Sequence, residues 1–178
     1  MMQTIRVERL LRESVQTPYS DLVTRSTGRA VRTSIEQVLI TSDSAVVVID
    51  FSEVGLVDLS CADEIVAKLL LDPPGGPCLV LQGLREEQLE AIEHVLEHRA
   101  LAALVRDLAD SIARPIGRVS PDLRAAFSAL QTLGAATLQA VAGQVGWTVS
   151  HTAEVLGTLL RLRLIRSHNG LYAVPLIA

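Results

Sequence analysis

Three carboxylates and a serine follow a short apolar run in the first third of the chain. The run 46–49 (Val-Val-Val-Ile) leads into Asp50, and Asp58, Ser60 and Asp63 come soon after it. Paired carboxylates can act as general acid and base, and a serine can act as a nucleophile when a base activates it. The segment has neither a nucleophile–base–orienter set nor a glycine-rich phosphate loop. The sequence therefore predicts no catalytic residues and no enzymatic activity.

Histidine and cysteine spacing gives no support for a metal site. His94 and His98 lie four residues apart, which can hold a metal on a helix, but no third histidine or cysteine is near them in the sequence. Cys61 and Cys78 lack CxxC spacing, and two cysteines do not make a disulfide framework. We expect both to be reduced and buried, and we predict no metal and no cofactor.

Ser60 opens an apolar helical run and has two interpretations. Ser60 followed by Asp63 is typical of a capping box, in which the serine hydroxyl accepts hydrogen bonds from backbone N–H groups. The same position at a helix start would also favour a phosphate electrostatically. Ser60 is thus either a cap alone or also a regulatory, partner-binding residue. Asp58 either holds the loop or lines the same surface.

Three arginines recur on one side of another predicted helix. Arg25, Arg29 and Arg32 are spaced by four and three residues, which places them on one helix face. Such a face either meets an acidic partner or faces solvent, and the sequence leaves both interpretations open.

Alternating strands and helices are predicted to position these residues. Short apolar runs indicate strands, and runs with a 3.6-residue period indicate helices. Strands are predicted at 3–8, 46–49, 78–81 and 102–105, and helices at 26–40, 60–71 and 85–99. The runs 46–49 and 78–81 lack polar alternation, which predicts burial on both faces, and 102–105 is expected at the sheet edge. The segment 72–77 (Asp-Pro-Pro-Gly-Gly-Pro) should end the middle helix. This order predicts an α/β domain with a mainly parallel or mixed sheet.

A linker is predicted at 111–119, where hydrophobic periodicity stops and Pro115 and Gly117 occur. Residues 1–110 should form the α/β domain, and residues 120–178 a second, smaller one.

The second domain should contain three helices and a hairpin. Ser120 is predicted to cap a helix with Pro121 at its first position, and Thr148 to cap the third helix. The helices are predicted at 121–133, at 137–145 and from residue 149 onwards. The predicted inward residues are Leu123, Phe127, Leu130 and Leu133 on the first helix and Val149, Ala153, Leu156 and Leu160 on the third. The segment 168–170 (His-Asn-Gly) favours a two-residue hairpin turn. Trp147 is expected to anchor the preceding turn in the core.

Three motifs of the first domain occur in a characteristic order: 25–32 (Arg-Ser-Thr-Gly-Arg-Ala-Val-Arg), 50–52 (Asp-Phe-Ser) and 60–64 (Ser-Cys-Ala-Asp-Glu). Together they resemble a STAS-like bacterial family of unknown function, which is related to the STAS domains of anti-sigma-factor antagonists. Cys61 stands where that family usually has phenylalanine and where the antagonists have glycine. The resemblance implies a protein-binding domain with Ser60 at the regulated position. Its partner would be a histidine-kinase-like ATPase or a sigma-factor regulator.

Motifs of the second domain are Thr137-Leu138, Val141-Ala142, Gly146, Leu156 with Leu159, Leu164-Ile165 and Gly170-Leu171-Tyr172. They resemble bacterial winged helix-turn-helix modules, including the one at the C terminus of the DNA-processing protein A family. The resemblance implies a small α+β fold that binds DNA in many regulators and binds proteins in others.

The third helix of this domain would be the DNA-reading helix. Its predicted outward residues are Ser150, His151, Glu154, Thr158 and Arg161, and Arg163 and Arg166 lie beside the wing. Ser, His and Glu side chains can contact base edges, and arginines can contact phosphates. Protein docking and a merely solvated face are the alternatives, since Glu154 would repel phosphates.

Charge and hydrophobicity set further expectations. Residues 1–117 hold 11 Lys and Arg against 18 Asp and Glu, whereas residues 118–178 hold 5 against 2, which permits nucleic-acid contact by the second domain. No run reaches the roughly 18 apolar residues of a membrane span, and no apolar signal core follows Met1. Fifteen arginines against one lysine are typical of a GC-rich bacterial genome.

We therefore expect a cytoplasmic, non-enzymatic bacterial regulator that couples a protein signal to DNA, with no membrane partner. The alternative is an adaptor of a partner-switching or defence system, in which neither domain binds DNA. The sequence allows a homodimer without requiring one.

Overall fold

The computed structural model describes residues 1–16, 19–72, 76–109 and 112–175. The chain divides into two compact units, of which the first ends at Arg118 and the second begins at Val119. We call them unit 1 and unit 2. No helix within the described ranges is long and apolar enough to cross a membrane.

Unit 1 is built on a five-stranded sheet whose spatial order follows the chain. The strands are β1 (Met2–Arg6), β2 (Val46–Asp50), β3 (Cys78–Gln82), β4 (Ala102–Arg106) and β5 (Ala113–Gly117). The first four are parallel, and β5 is antiparallel to β4. Because consecutive parallel strands are neighbours and such crossovers are right-handed, the connecting helices lie on one face of the sheet. The predicted α/β class with a mainly parallel sheet is confirmed.

The helices of unit 1 follow β1, β2 and β3. They are α1 (Val7–Val15), α2 (Arg25–Ile40), α3 (Leu59–Ala62), a π-helical segment (Asp63–Ala67), α4 (Lys68–Leu71) and α5 (Glu86–His98). The helices predicted at 26–40, 60–71 and 85–99 are confirmed, although the π-helical segment was not expected. Residues 73–75 of the predicted helix-ending segment lie outside the described residues.

Helix α1 was not predicted, and the first strand is shorter than expected. The apolar alternation of Ile5 and Val7 suggested a strand that continues to Glu8, but β1 ends at Arg6 and Val7 begins α1. Val7 is fully buried as the first residue of a helix rather than as part of a strand face.

The core of unit 1 lies between the sheet and its helices. Val47 of β2, Ile35 of α2 and Ile92 of α5 are fully buried in one apolar cluster. Val48 and Val80, which alternate with the residues of that cluster, are also fully buried. The absence of polar alternation in these two strands therefore correctly predicted burial on both faces.

The predicted linker at 111–119 is wrong over its described residues. Ala113–Gly117 forms β5 and pairs along the whole length of β4, so the strand predicted at 102–105 lies inside the sheet rather than at its edge. Pro115 obscured this strand in the sequence, yet an outer strand tolerates proline because one side of it needs no hydrogen-bond donor.

Unit 2 contains α6 (Pro121–Leu133), α7 (Leu138–Val145), α8 (Val149–Arg161), β6 (Arg166–His168) and β7 (Leu171–Ala173). The hydroxyls of Ser120, Thr137 and Thr148 cap the three helices. Asn169 and Gly170 have φ angles of 50° and 76°, as a primed hairpin turn requires. The three predicted helices and the hairpin are confirmed.

The predicted inward face of α8 is rotated from the real one. The residues buried on α8 are Thr152, Val155, Leu156 and Leu159, whereas Val149 is 47% exposed. Thr152 can lie inward because its hydroxyl donates to the carbonyl of Thr148 at 2.8 Å. Leu133 of α6 is also exposed rather than inward, and Trp147 is only half-buried rather than a core anchor.

Candidate functional site

The carboxylate of Asp58 holds the loop before α3. Its Oδ1 accepts hydrogen bonds from the Cys61 N–H at 2.8 Å and from the Ser60 hydroxyl at 2.7 Å. Its Oδ2 accepts from the N–H of Thr24 at 3.0 Å. Asp58 is therefore the N-cap of α3, and it also links α3 to the residue that precedes α2.

The prediction that Ser60 caps the helix is wrong. Ser60 is the second residue of α3, and its hydroxyl donates to Asp58 instead of accepting from the backbone. The capping role falls to Asp58 because its carboxylate stands three residues before Cys61, whose amide needs an acceptor. The two residues that the sequence singled out are nevertheless in direct contact.

Burial alone would raise the pKa of Asp58, but the hydrogen bonds from Cys61, Ser60 and Thr24 lower it below its ordinary value. The carboxylate therefore stays ionised at neutral pH. The Cys61 thiol is buried, as predicted, and donates to the Thr24 carbonyl at 3.0 Å. Burial, followed by the charge of Asp58, raises the pKa of this thiol to about 12. It is consequently a poor nucleophile.

A buried glutamate gathers the arginines of α2. Glu64 is 0% exposed, and its Oε1 accepts from Lys68 at 2.7 Å and from Arg25 at 3.0 Å. Its Oε2 accepts from Arg32 at 3.3 Å, and Arg29 lies 3.9 Å from Oε1. The sequence left open whether the arginine face of α2 meets solvent or an acidic partner. The structure provides an acidic partner for this face within the same chain, which is Glu64.

Asp63 extends this network to α5. Its Oδ2 accepts from Arg25 at 2.8 Å, and Arg99 donates to its two oxygens at 2.5 and 3.0 Å. Burial would raise the pKa of Asp63, but the hydrogen bonds from Arg99 and Arg25 lower it. Burial would also raise the pKa of Glu64, but the hydrogen bonds from Lys68 and Arg25 lower it. We call Asp63, Glu64, Arg25, Arg29, Arg32, Lys68 and Arg99 the acid–arginine cluster.

Gly28 allows α2 and α3 to approach closely. A Cβ atom at Gly28 would lie 3.0 Å from the Cα of Cys61 and 3.0 Å from the Cβ of Glu64. The arginine-rich motif of α2 and the Ser60 motif therefore pack directly against each other. The π-helical segment begins at this crossing, and such segments are frequent at functional sites.

The surface around Ser60 combines apolar and basic groups. Leu56 is 58% exposed and Leu59 is 50% exposed. A groove of about 500 Å³ beside Ser60 is lined by Leu59, His94, His98 and Arg99, among others. Within the described residues, no group of three His, Cys, Asp or Glu side chains is placed to hold a metal ion.

The three acids near one strand end do not share partners. Asp50 accepts from the backbone N–H of Ser52 at 2.9 Å and from its hydroxyl at 2.5 Å. Asp58 and Asp63 bind the separate groups described above. The arrangement gives Asp58 a capping role, Asp63 an ion-pairing role and Asp50 a loop contact.

On α8, the structure leaves Ser150, Glu154 and Arg161 exposed and Thr158 half-buried. Arg161 donates to the Thr158 hydroxyl at 2.8 Å. Arg166 is exposed on β6, and Arg163 is half-buried after α8 with a φ of 59°.

His151 has an internal partner. Its Nε2 lies 2.8 Å from Oδ2 of Asp122 on α6, and its ring meets Trp147 edge-on with centroids 4.9 Å apart. His151 would have to leave Asp122 before it could contact a base edge through Nε2.

A row of polar residues at the ends of four strands was not predicted from the sequence. Arg6, Asp50, Gln82 and Arg106 are the last residues of β1, β2, β3 and β4. The available signal was that each apolar run ends in a polar residue, but only the register of the sheet brings the four together.

Comparisons with known proteins were negative: no protein-family model matches the sequence, and no curated protein shows significant similarity to it.

Proposed function

We propose that the chain is a cytoplasmic, non-enzymatic bacterial regulator of transcription. Unit 1, which resembles a STAS-like domain, binds a protein partner. Unit 2, which resembles a winged helix, binds DNA through α8 and the hairpin.

The exposed polar face of α8 carries the DNA-binding proposal. One face of α8 is buried through Val155, Leu156 and Leu159, and the opposite face presents Ser150 and Arg161 to solvent. A helix held in this way can enter the major groove, where its polar side chains contact base edges. Arg166 on the following hairpin and Arg163 supply groups that bind phosphates.

The surface around Asp58 and Ser60 supports the partner-binding proposal. Leu56 and Leu59 expose apolar area beside a loop that the ionised Asp58 fixes in place. Exposed apolar residues next to fixed polar groups are typical of protein interfaces. The resemblance of unit 1 names a histidine-kinase-like ATPase or a sigma-factor regulator as the kind of partner.

A gel shift of genomic DNA fragments at two salt concentrations tests the DNA-binding half. If Arg161, Arg163 and Arg166 each neutralise one phosphate, the slope of log K against log salt is about −2.7, or about 40-fold weaker binding between 50 and 200 mM salt. Absence of a shifted band at both salt concentrations would reject DNA binding.

A second candidate is a protein adaptor in which neither unit binds DNA. The apolar residues that unit 2 leaves exposed favour it, since Val149 is 47% exposed at the very start of α8. Glu154, also exposed, would repel phosphates. Under this alternative Val149→Ser weakens binding of a protein partner, and no DNA fragment is shifted at any salt concentration.

A further inference from the structure

The polar row at the strand ends lies on one edge of the unit 1 sheet. Arg6 pairs in register with Asp50, Asp50 with Gln82, and Gln82 with Arg106. Neighbouring strands are about 4.8 Å apart, and residues in parallel register point to the same side. Four polar side chains therefore stand side by side where the parallel strands end.

A cleft of about 1050 Å³ opens between this row and α1. Arg6, Asp50 and Gln82 line it from the strands, and Arg9 and Arg12 line it from α1. Pockets for small ligands commonly measure about 300–1,000 Å³, so the cleft is large enough for one.

The row has hydrogen-bonding capacity that the described residues leave unused. Gln82 is only 7% exposed, and its Oε1 accepts from Nε and Nη2 of Arg106 at 3.0 and 2.5 Å. Its amide N–H groups bond to no described residue. Among the described residues, Oδ2 of Asp50 and the guanidinium of Arg6 also have no hydrogen-bond partner. The cleft thus presents hydrogen-bond donors at Arg6 and Gln82 and an acceptor at Asp50, on three adjacent strands.

The loops that follow β2 and β3 approach each other closely beside the cleft. Gly83 follows Gln82 with a φ of 70°, and a Cβ atom there would clash with Oγ of Ser52 and lie 2.9 Å from Oδ1 of Asp50. The Phe51 N–H donates to the Gln82 carbonyl at 3.0 Å, and the Ser52 N–H donates to Oδ1 of Asp50 at 2.9 Å, so both residues are positioned before any ligand binds. Such preorganisation lowers the entropic cost of binding.

The cleft is lined by charges of both signs, which are those of Arg6, Arg9, Arg12, Glu8, Glu13, Asp50 and Glu53. Arg9 and Arg12 on α1 are paired with Glu13 and Glu8, but both arginines are more than half exposed. Exposed pairs of this kind contribute little, so an anion can compete for these arginines. Asp50 and Glu53 contribute negative charge from the loop side of the cleft, beyond that of Glu8 and Glu13. An anionic group would have to displace Glu8 and Glu13 from the arginines of α1, and a hydrogen-bond donor fits beside Asp50.

We propose that this cleft binds a phosphorylated sugar, with its phosphate on Arg6, Arg9 and Arg12 and a sugar hydroxyl donating to Asp50. The Gln82 amide then donates to a further oxygen of the ligand. Carboxylates accept hydrogen bonds from ribose hydroxyls in other nucleotide sites, and arginine binds phosphate through paired N–H groups. Such a ligand would act on unit 1 as a small-molecule effector, independently of whether unit 2 binds DNA.

Calorimetric titration of the full chain tests the site with four probes: ribose 5-phosphate, AMP, inorganic phosphate and ribose. We expect the first two to bind at least tenfold more tightly than phosphate, and ribose to show no binding. Tight AMP with weak ribose 5-phosphate would identify a nucleotide site of the same class. Equal binding of phosphate and both sugar phosphates, or no binding of any probe, would overturn the proposal.

Variants test whether binding depends on the residues of the cleft or on any exposed positive charge of the chain. Arg6→Gln should weaken binding of the better sugar phosphate at least tenfold, and Asp50→Asn should weaken it without changing the response to inorganic phosphate. Arg118→Gln removes an exposed arginine outside the cleft and is the matched control, with unchanged affinity expected. Because Arg6 is exposed, its variant should fold even if Asp50→Asn does not. Parent-like affinity in Arg6→Gln would contradict the assignment.

Discussion

The charges around the buried Glu64 of unit 1 contrast with the exposed charges on α8 and the hairpin of unit 2. In unit 1, Arg25, Arg32 and Lys68 turn toward the fully buried Glu64 and join α2 to the helical run that begins at α3. In unit 2, Glu154 and Arg166 remain exposed. Charges that are buried and paired hold helices in one arrangement, and losing one partner is costly. Exposed charges contribute little to stability, so they can be selected for binding.

Glycines show the same contrast between the two units. Gly28 of α2 has no space for a Cβ atom, because the backbone of Cys61 lies against it. Gly157 of α8 has only the Nη1 of Arg161 within reach, at 3.6 Å. The helix crossing in unit 1 is fixed by close contact, whereas α8 keeps open space on one side.

The largest stability effect should come from Glu64→Ala. Removing the carboxylate leaves Arg25, Arg32 and Lys68 without their buried partner, and we expect unfolding to become easier by about 3 kcal/mol, since these cations can partly return to solvent. Urea denaturation of the full chain measures this change in the free energy of unfolding. Glu90→Ala, at an exposed position on α5, is the control and should change stability by less than about 0.5 kcal/mol. Similar losses in the two variants would show that the acid–arginine cluster does not hold unit 1 together.

Acid should weaken unit 1 through the same groups. The folded pKa values of Asp58, Asp63 and Glu64 are lowered, so their stabilisation is fully present above the ordinary pKa values of 3.8 and 4.5. It is lost as the pH falls through the lowered folded values, because the unfolded chain then binds more protons. Urea midpoints measured from pH 6 down to pH 3 should fall, and less steeply in Glu64→Gln. A midpoint independent of pH in this range would contradict the assigned directions.

Alanine at the two glycines should have opposite effects. Gly28→Ala should destabilise by about 1–2 kcal/mol, because overpacking against Cys61 outweighs the helix propensity of alanine. Gly157→Ala should stabilise by about 0.5–1 kcal/mol, since only propensity changes. Thermal melts of both variants decide the matter, and a stabilising Gly28→Ala would mean that α2 and α3 are less closely packed.

Smaller effects are expected at the start of α3. Asp58→Ala removes the cap and should cost about 1–2 kcal/mol, whereas Ser60→Ala removes one hydrogen bond and should cost about 0.5–1 kcal/mol. Ser60→Asp, which the capping interpretation would leave near neutral, should now destabilise because it places a second carboxylate beside Asp58. Thermal melts rank the three variants. If Ser60→Ala lowers the stability more than Asp58→Ala does, Asp58 is not the main N-cap of α3.

The sequence predicted elements with a strong internal period and missed those fixed by tertiary contacts. Helices α2, α5 and α6 and the buried strands β2 and β3 follow from their own patterns. Strand β5 contains Pro115 and is held in place by pairing with β4, so no local sequence pattern indicates it. Helix α1 is absent from the prediction because Val7 continued the strand alternation of Ile5.

The candidate site was predicted in part. The position of Asp58 and Ser60 at a helix start followed from local sequence, but which of them caps depends on where the backbone turns. The acidic partner of Arg25 lies far along the chain at Glu64, and charge spacing alone does not reveal such a pairing. The rotated face of α8 depends on Thr152, a polar residue that is buried because it bonds to its own helix.

The salt dependence of DNA binding by the triple variant Arg161→Ala, Arg163→Ala and Arg166→Ala tests the central claim most directly. Fluorescence anisotropy with a shifted genomic fragment should give a slope shallower than that of the parent by up to about 2.7, with a melting temperature close to the parent's. Arg114→Ala, at an exposed arginine of unit 1, should leave the slope unchanged. A triple variant that binds DNA with the parental slope, or a parent that binds no DNA, would contradict the claim that unit 2 binds nucleic acid through Arg161, Arg163 and Arg166.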